Sequence, residues 1–277
     1  MSREIDCMHL GREHVICSYE VDGLVVDPGP ESCLDTLLDC LAEEPRALLL
    51  THIHLDHAGA AGALCRRLPQ LTVYVHENGA AHLADPSKLL SSAARLYGDD
   101  MQRLWGDVLP VPPERIQTVR GGETVEGMTV AYTPGHASHH VCYFHEESGH
   151  AYVGDMAGVR LPGSEYTIAP TPPPDIDVQA WLGSLDTIDG WNANALCLTH
   201  FGTSMDAEEQ LARVREALSD QAERARDSNP EEFAAWSEAR TRATLGGPTA
   251  DAYVQAAPPH QLGLGLGRYW DKQGARA

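Results

Sequence analysis

Five histidines and two aspartates carry the chemistry that this sequence could perform. Four of these side chains lie in one run, Thr51-His52-Ile53-His54-Leu55-Asp56-His57. The other three are His136, Asp155 and His200, which stand in Thr-Pro-Gly-His, Gly-Asp and Thr-His segments. Imidazole nitrogens and carboxylate oxygens are ligands that suit zinc, manganese and iron. The set predicts a metal site with open positions, which can make hydroxide from water near neutral pH.

The spacing within the run divides its donors between two ions. His52 and His54 are two residues apart, so in an extended loop their rings point the same way. Asp56 continues this alternation, whereas His57 points differently. We therefore expect His52 and His54 at a first metal, and Asp56 and His57 at a second.

The three later residues complete these two sets. We expect His136 at the first metal and His200 at the second, with the two oxygens of Asp155 bridging the pair. Two metals about 3.5–4 Å apart can share a hydroxide and also grip a substrate oxygen. The expected step is attack of this bridging hydroxide on an ester-like carbonyl or a phosphoryl group, without a Ser or Cys nucleophile. Asp56, as a catalytic residue, or a water would deliver the proton to the leaving group.

Composition narrows the choice of partners. The chain has 277 residues and a formal net charge of −20, which disfavours nucleic acid and anionic membranes because phosphate binding needs clustered Lys and Arg. No apolar run approaches the ~18 residues of a spanning helix, and the amino terminus lacks the pattern of a secretory signal. We expect a cytoplasmic protein that acts on a small-molecule substrate; a homodimer stays open.

The seven cysteines do not form a C-x-x-C pair, and their number is odd. Several stand inside apolar segments, as Cys197 does between two leucines. We expect small buried hydrophobic residues in a reducing cytoplasm. Cys142 and Cys197 are close in sequence to the expected ligands, but we do not expect them to bind metal.

Periodicity predicts an α/β layered core. Strand patterns occur at residues 15–20, 24–27, 47–50, 71–75, 128–133, 141–145, 151–153 and 195–199, and helical patterns at 33–41 and 58–68. The expected ligands follow strand ends by a few residues. Because functional residues commonly collect at the strand ends of α/β sheets, we expect these ligands to converge.

Three segments fall outside this alternation. Residues 78–118 read as a helical and irregular insertion. The prolines within residues 161–177 exclude regular structure there and leave either a stiff connector or a pocket wall. Residues 206–277 read as a helical extension: Asp206 with Glu209 resembles a capping box, and Asn229-Pro230 with Glu232 begins a second helix.

The ordered motifs resemble those of the metallo-β-lactamase superfamily over residues 15–202. The resemblance implies an αββα sandwich with the metals at one edge, in a catalytic domain of residues 1–205 followed by the extension. It implies that Asp27 supports residues 51–57, the metal loop, from beneath and does not itself bind metal. A bridging aspartate at position 155 resembles the glyoxalase II and lactonase branches, and the helical extension resembles that of glyoxalase II. The resemblance therefore implies two divalent ions, zinc first with iron or manganese as alternatives, and hydrolysis of a small ester, lactone or thioester.

Two other activities stay open on the same residues. An iron persulfide dioxygenase would use one iron at a 2-His-1-carboxylate face. A phosphodiester or phosphotriester hydrolase would direct the same hydroxide at phosphorus. Of the remaining histidines, His139 and His140 stay open as pocket residues, and we expect ordinary surface or core positions for the others. We also place Arg160 and the aromatic residues Tyr166, Trp181 and Tyr269 outside the site.

Overall fold

Two six-stranded sheets form the centre of the protein in a computed structural model that describes residues 2–274. The first sheet contains β1 (Ser2–Asp6), β2 (Cys17–Val21), β3 (Leu24–Val26), β4 (Ala47–Leu49), β5 (Thr72–His76) and β6 (Ile116–Val119). The second contains β7 (Thr124–Val125), β8 (Met128–Tyr132), β9 (Val141–His145), β10 (His150–Gly154), β11 (Ala195–Leu198) and β12 (Gly202–Ser204).

The helices surround these sheets. They are α1 (Leu34–Cys40), α2 (Leu55–Ala58), α3 (Ala61–Arg67), α4 (Glu77–Ala84), α5 (Ser87–Tyr97), α6 (Met101–Trp105), α7 (Val178–Asp189), α8 (Ala207–Arg226), α9 (Pro230–Leu245), α10 (Gly247–Ala256) and α11 (Pro259–Lys272). Short 3-10 turns begin at His9, Glu31, Gly98 and Pro113.

The first sheet runs in chain order from β1 to β6. Strands β1, β2 and β3 pair antiparallel, and β3, β4, β5 and β6 pair parallel. Parallel neighbours need a crossover, and α1 and α3 supply two of these connections. Their carboxyl ends therefore lie at one edge, where the histidine run follows β4.

The second sheet brings the later motifs to the same edge of the molecule. Strands β7 to β10 form an antiparallel meander, and β11 pairs parallel with β10. Asp155 follows β10 directly, and His200 lies two residues beyond β11. Because these two strands are parallel neighbours, both donors emerge side by side.

Side-chain alternation along the strands separates three apolar clusters. In β4, Ala47 and Leu49 point between the sheets, whereas Leu48 packs against α1 and α3. In β10, Tyr152 meets Tyr19 of the first sheet edge-on, with ring centroids 5.4 Å apart. The other face of the second sheet packs on α7 and the C-terminal helices. The result is the predicted αββα sandwich.

The sequence patterns missed several elements. Strand β1 was not predicted, although it pairs with β2 from Ser2 to Asp6. The segment expected to be helical and irregular contains α4, α5 and α6, but its last residues enter β6, which pairs with β5. Helix α7 and strand β12 were also not predicted. The division into domains at residue 205 stays a prediction.

The C-terminal helices contain one capping box. Asn229 accepts from the backbone N–H of Glu232, and the Glu232 carboxylate accepts from the backbone N–H of Asn229. Asp206 makes no such side-chain bond, and the Glu209 carboxylate pairs with Arg213 at 2.6 Å. The interpretation of Asp206 and Glu209 as a capping box was therefore wrong, although the helix begins where it was expected.

Two further sequence expectations concern burial. Six of the seven cysteines are buried, and Cys40 is exposed. Within residues 2–274, no helix combines the length and apolar character that a bilayer crossing requires.

Candidate metal centre

The structure brings all seven predicted side chains together in two adjoining groups. The first contains His52, His54, His136 and Asp155, and the second contains Asp56, His57 and His200. Within each group, every residue offers a ligand atom within 4.8 Å of the others. All seven side chains are carried by loops that follow strands, or by the short helix α2, so the ends of both sheets position the cluster.

Three ring nitrogens meet in the first group. Nε2 of His52 and Nε2 of His136 each lie 2.9 Å from Nδ1 of His54. An oxygen of Asp155, Oδ2, lies 3.2 Å from Nε2 of His136. These four atoms surround one point with donors that suit a divalent transition metal.

The second group meets the first through the other oxygen of Asp155. Oδ1 of Asp155 lies 3.3 Å from Nε2 of His57 and 3.5 Å from Nε2 of His200. Oδ2 of Asp56 lies 3.3 Å from the same nitrogen of His200. One carboxylate therefore faces both groups, each with a different oxygen.

Backbone carbonyls fix the orientation of two rings. Nδ1–H of His136 donates to the carbonyl of Pro170 at 2.8 Å, and Nδ1–H of His200 donates to the carbonyl of Val15 at 2.6 Å. A carbonyl can only accept, so Nδ1 carries the proton. In the neutral rings, Nε2 of each then presents a lone pair to the cluster, as metal-binding histidines do.

Asp27 performs the same task from beneath the metal loop. Its carboxylate accepts from the backbone N–H of Thr51 at 2.8 Å and from the Thr51 hydroxyl at 2.6 Å. It also faces Nδ1 of His57 at 2.8 Å and accepts from the Thr199 hydroxyl at 3.2 Å. Because the Thr51 hydroxyl is committed to Asp27, Nδ1–H of His52 donates to Thr51 at 3.1 Å, which turns its Nε2 lone pair to the cluster.

These protonation patterns leave lone pairs in the cluster that no hydrogen-bond donor within residues 2–274 satisfies. Nε2 of His57 and Oδ1 of Asp155 are buried and have no hydrogen-bond partner among the described residues. Lone pairs of His52 and His136 point at the same place as His54. Buried polar atoms are normally satisfied, so unpartnered acceptors that converge fit bound metal ions.

The electrostatics of the two groups differ. Burial, with His136 nearby, lowers the pKa of His54 to about 4, so this ring is neutral at physiological pH. Burial also opposes charge on His57, but the Asp155 and Asp56 carboxylates raise its pKa well above the usual value. The same surroundings raise the pKa of His200. The second group thus lies in a negative field that favours a positive ion.

A cavity of about 590 Å³ opens onto this cluster. Donors from both groups line it: His54, Asp155, Asp56 and His200. The proline segment contributes residues 170 and 172–175, so it is a pocket wall and not only a connector. The volume suits a small-molecule ligand.

Comparison with known proteins identifies the family. Residues 16–200, two thirds of the chain, match the sequence profile described as the metallo-beta-lactamase superfamily. The chain belongs to the metallo-β-lactamase superfamily. This match contains all seven donors of the cluster.

Individual relatives cover less of the chain or show the fold alone. The hydroxyacylglutathione hydrolase of Salmonella paratyphi B is 35% identical over 133 residues, which are 47% of this chain and 41% of that protein. An archaeal metallo-β-lactamase superfamily protein from Sulfolobus tokodaii has a TM-score of 0.74 at 22% identity, over 96% of this chain and 97% of that one. A metallo-β-lactamase family protein from Thermus thermophilus has a TM-score of 0.63 at 20% identity, over 94% and 89%.

Several residues around this superfamily site were not assigned a role from the sequence. Thr51 and Thr199 hold Asp27, and a threonine directly before the ligands His52 and His200 was the pattern that could have revealed them. His9 and His82 line the cavity, although ordinary positions were expected for both. Tyr97 also lines it and was not singled out.

The structure also locates the residues whose role the sequence left open and those expected outside the site. His139 lines the cavity, and His140 is fully buried with its ring centroid 4.9 Å from that of His52. Trp181 is buried behind His136, with ring centroids 5.5 Å apart. Arg160, Tyr166 and Tyr269 are not among the described residues that line the cavity. Cys142 and Cys197 lie outside the donor cluster.

Proposed function

We propose that this chain is a dinuclear metallohydrolase that cleaves a small ester, lactone or thioester. The observation that carries the proposal is Asp155, which lines the cavity and whose two oxygens face two separate donor groups. A shared carboxylate of this kind suits a pair of ions held close together.

The donors divide between two ions. His52, His54 and His136 would hold the first, and Asp56, His57 and His200 would hold the second, with Asp155 between them. When bound, the two ions supply Lewis-acid activation of water and of the substrate carbonyl oxygen. We propose zinc as the resident metal, with iron and manganese as alternatives.

Asp56 is the residue that we propose moves the proton. Its side chain is 23% exposed and lines the cavity. Burial disfavours its charge, but His57 and His200 lower its pKa far enough to keep it ionised at neutral pH. The carboxylate can accept the proton that the attacking water loses and return it to the leaving oxygen or sulfur.

The remaining residues position these groups. Pro170 and Val15 hold His136 and His200 through carbonyl oxygens, and Asp27 holds the metal loop. The walls of the cavity separate the reacting carbonyl from bulk water, which strengthens the charges that act on it. The name of the Salmonella relative, a hydroxyacylglutathione hydrolase, supports hydrolysis of a thioester or a related acyl bond. Buried, unpaired cysteines support a reducing cytoplasm.

The test compares substrate classes with the metal-loaded protein. Protein loaded with zinc, manganese or iron is assayed on a lactone, a p-nitrophenyl ester, S-lactoylglutathione, a phosphodiester, a phosphotriester and a persulfide. We expect hydrolysis of a carboxylic substrate, at least about 100-fold above that of His54→Ala. His260→Ala, at an exposed position, is the matched control and keeps full activity.

Other outcomes would replace this proposal. Hydrolysis that survives complete removal of metal by a chelator contradicts it. Oxygen uptake on a persulfide with one iron per chain would assign a dioxygenase. Preferential cleavage of a phosphoester would move the proposal to that substrate class.

A further inference from the structure

Much of the cavity lining outside the ligand cluster is apolar. Helix α5 contributes Leu89, Ala93 and Leu96, whose spacing of four and three residues places them on one face. Helix α11 contributes Leu262. At the mouth stands Leu10, a large apolar side chain that is 42% exposed. A substrate that enters this cavity therefore meets hydrocarbon on several sides.

Hydrogen bonds between distant segments hold this wall together. The Tyr97 hydroxyl at the end of α5 donates to Oε1 of Gln261 on α11 at 3.2 Å. Gln255 on α10 donates from Nε2 to the carbonyl of His9 at 3.0 Å. The ring of Tyr97 meets that of Trp105 edge-on, with centroids 5.0 Å apart. The insertion, the N-terminal loop and the C-terminal helices thus form this wall together and contact one another.

Few charges line the cavity away from the donor cluster. Among the described lining residues there, the lysine, arginine and carboxylate side chains are Lys88, Arg103 and Asp175. Arg103 is committed to Asp100 at 2.9 Å, and Lys88 is exposed to solvent. Asp175 accepts from the Ser138 hydroxyl at 2.6 Å and adds a negative charge. Away from the donor cluster, the described lining thus offers the two carboxylates of glutathione one lysine and one arginine that already pairs with Asp100.

We infer that the substrate is an ester or lactone with an uncharged, apolar acyl group, and that a glutathione thioester is disfavoured. This inference rests on the proposed hydrolase function and adds the substrate class. The acyl chain lies along the face of Leu89, Ala93 and Leu96, with its carbonyl at the donor cluster. The Asp175 carboxylate and the net charge of −20 disfavour the binding of a negatively charged glutathione group.

The experiment measures kcat/KM of the metal-loaded protein on p-nitrophenyl esters from acetyl to octanoyl, and on S-lactoylglutathione. Each buried methylene contributes enough transfer free energy for an increase of about fourfold in kcat/KM, until the wall is covered. We expect this rise, and kcat/KM at least about tenfold lower for the thioester. Values that do not change with chain length, or a preference for the thioester, overturn the inference while leaving the hydrolase proposal intact.

Measuring the binding of inert ligands tests the apolar wall of the cavity without requiring catalysis. Calorimetry compares octanamide, an uncharged acyl probe, with S-methylglutathione. Tighter binding of octanamide supports the inference even if no substrate in the panel is hydrolysed, which would count against the hydrolase proposal alone. Tighter binding of S-methylglutathione, or no binding of octanamide, overturns it.

Paired variants locate the acyl chain on α5. Ala93→Phe fills the cavity and is expected to lower the octanoyl-to-acetyl ratio of kcat/KM at least about tenfold. Ala94→Phe, on the exposed side of the same helix, keeps the ratio. If Ala93→Phe fails to fold, Leu89→Lys tests the same face: it should weaken octanamide binding about tenfold, whereas Leu90→Lys, outside the lining, should not. Equal effects at the paired positions would refute the placement.

Discussion

Oδ2 of Asp27 lies 2.8 Å from Nδ1 of His57, and both side chains are almost completely buried. The contact directs Nε2 of His57 towards Asp155, 3.3 Å away. A carboxylate that never faces the cavity thus sets the direction of a donor that does. Asp27 also adopts a left-handed backbone conformation, with φ of 48°, which is uncommon for a residue other than glycine.

The first prediction concerns this contact. Asp27→Asn keeps the size of the side chain but removes the negative charge that holds the His57 proton. We expect metal affinity to fall about 10–100-fold, the usual effect of losing a group that orients a ligand. Competition with a coloured chelator measures it, and Asp35→Asn, at an exposed side chain, is the control. Unchanged affinity in Asp27→Asn would show that the loop is held in another way.

The second prediction concerns the contact between α11 and the proline wall. A Cβ at Gly265 would lie 2.0 Å from the Thr171 carbonyl oxygen, so Gly265→Ala must move one of the two segments. We expect a loss of about 1–3 kcal/mol in the free energy of unfolding. Pro170, next to Thr171, accepts from His136, so metal affinity should fall as well.

Gly183→Ala is the matched control for this change. Gly183 lies inside helix α7, and a Cβ there meets nothing within 4 Å. Alanine restricts the unfolded chain, so we expect about 0.4–1 kcal/mol of stabilisation. Urea unfolding measures both variants. Equal stability of Gly265→Ala and the unaltered protein would contradict the close packing of α11.

The third prediction concerns thiol reactivity and its pH dependence. Burial raises the pKa of Cys65 to about 11 and that of Cys33 to about 11, so both are protonated at pH 8 and resist thiol reagents. Cys40 is exposed. We expect one fast-reacting thiol per native chain at pH 8, all seven in guanidinium, and none that react fast in native Cys40→Ser. Reaction at Cys33 and Cys65 should accelerate only as the pH approaches 11. Two or more fast thiols at pH 8 would contradict the burial.

Local sequence patterns predicted the donor cluster because histidine and aspartate are recognisable as metal ligands from residue type alone. His52, His54, Asp56 and His57 lie in one run, Asp155 directly follows an apolar strand, and His200 lies two residues beyond another. The type of each side chain and its position at a strand end were both readable. Asp27 needed the family resemblance, since Asp-Pro-Gly is also an ordinary turn.

Other parts of the site had no local pattern to reveal them. The carbonyls of Pro170 and Val15 orient two ligands, but a carbonyl is common to every residue type. Tyr97 meets Gln261 across 164 residues of sequence, so only the fold brings them together. Strand β1 buries Ile5 alone among its five residues, and such an edge strand lacks the apolar alternation that predicts strands.

The number of bound ions tests the central claim most directly. Metal content after saturation and removal of free metal is measured for the unaltered protein and for His54→Ala, His200→Ala and His260→Ala. We predict two ions per chain in the unaltered protein and in the exposed control His260→Ala, and one ion in each of the other two variants, because each loses a donor from a different group. At most one ion in the unaltered protein, or no loss in His54→Ala and His200→Ala, would contradict the account.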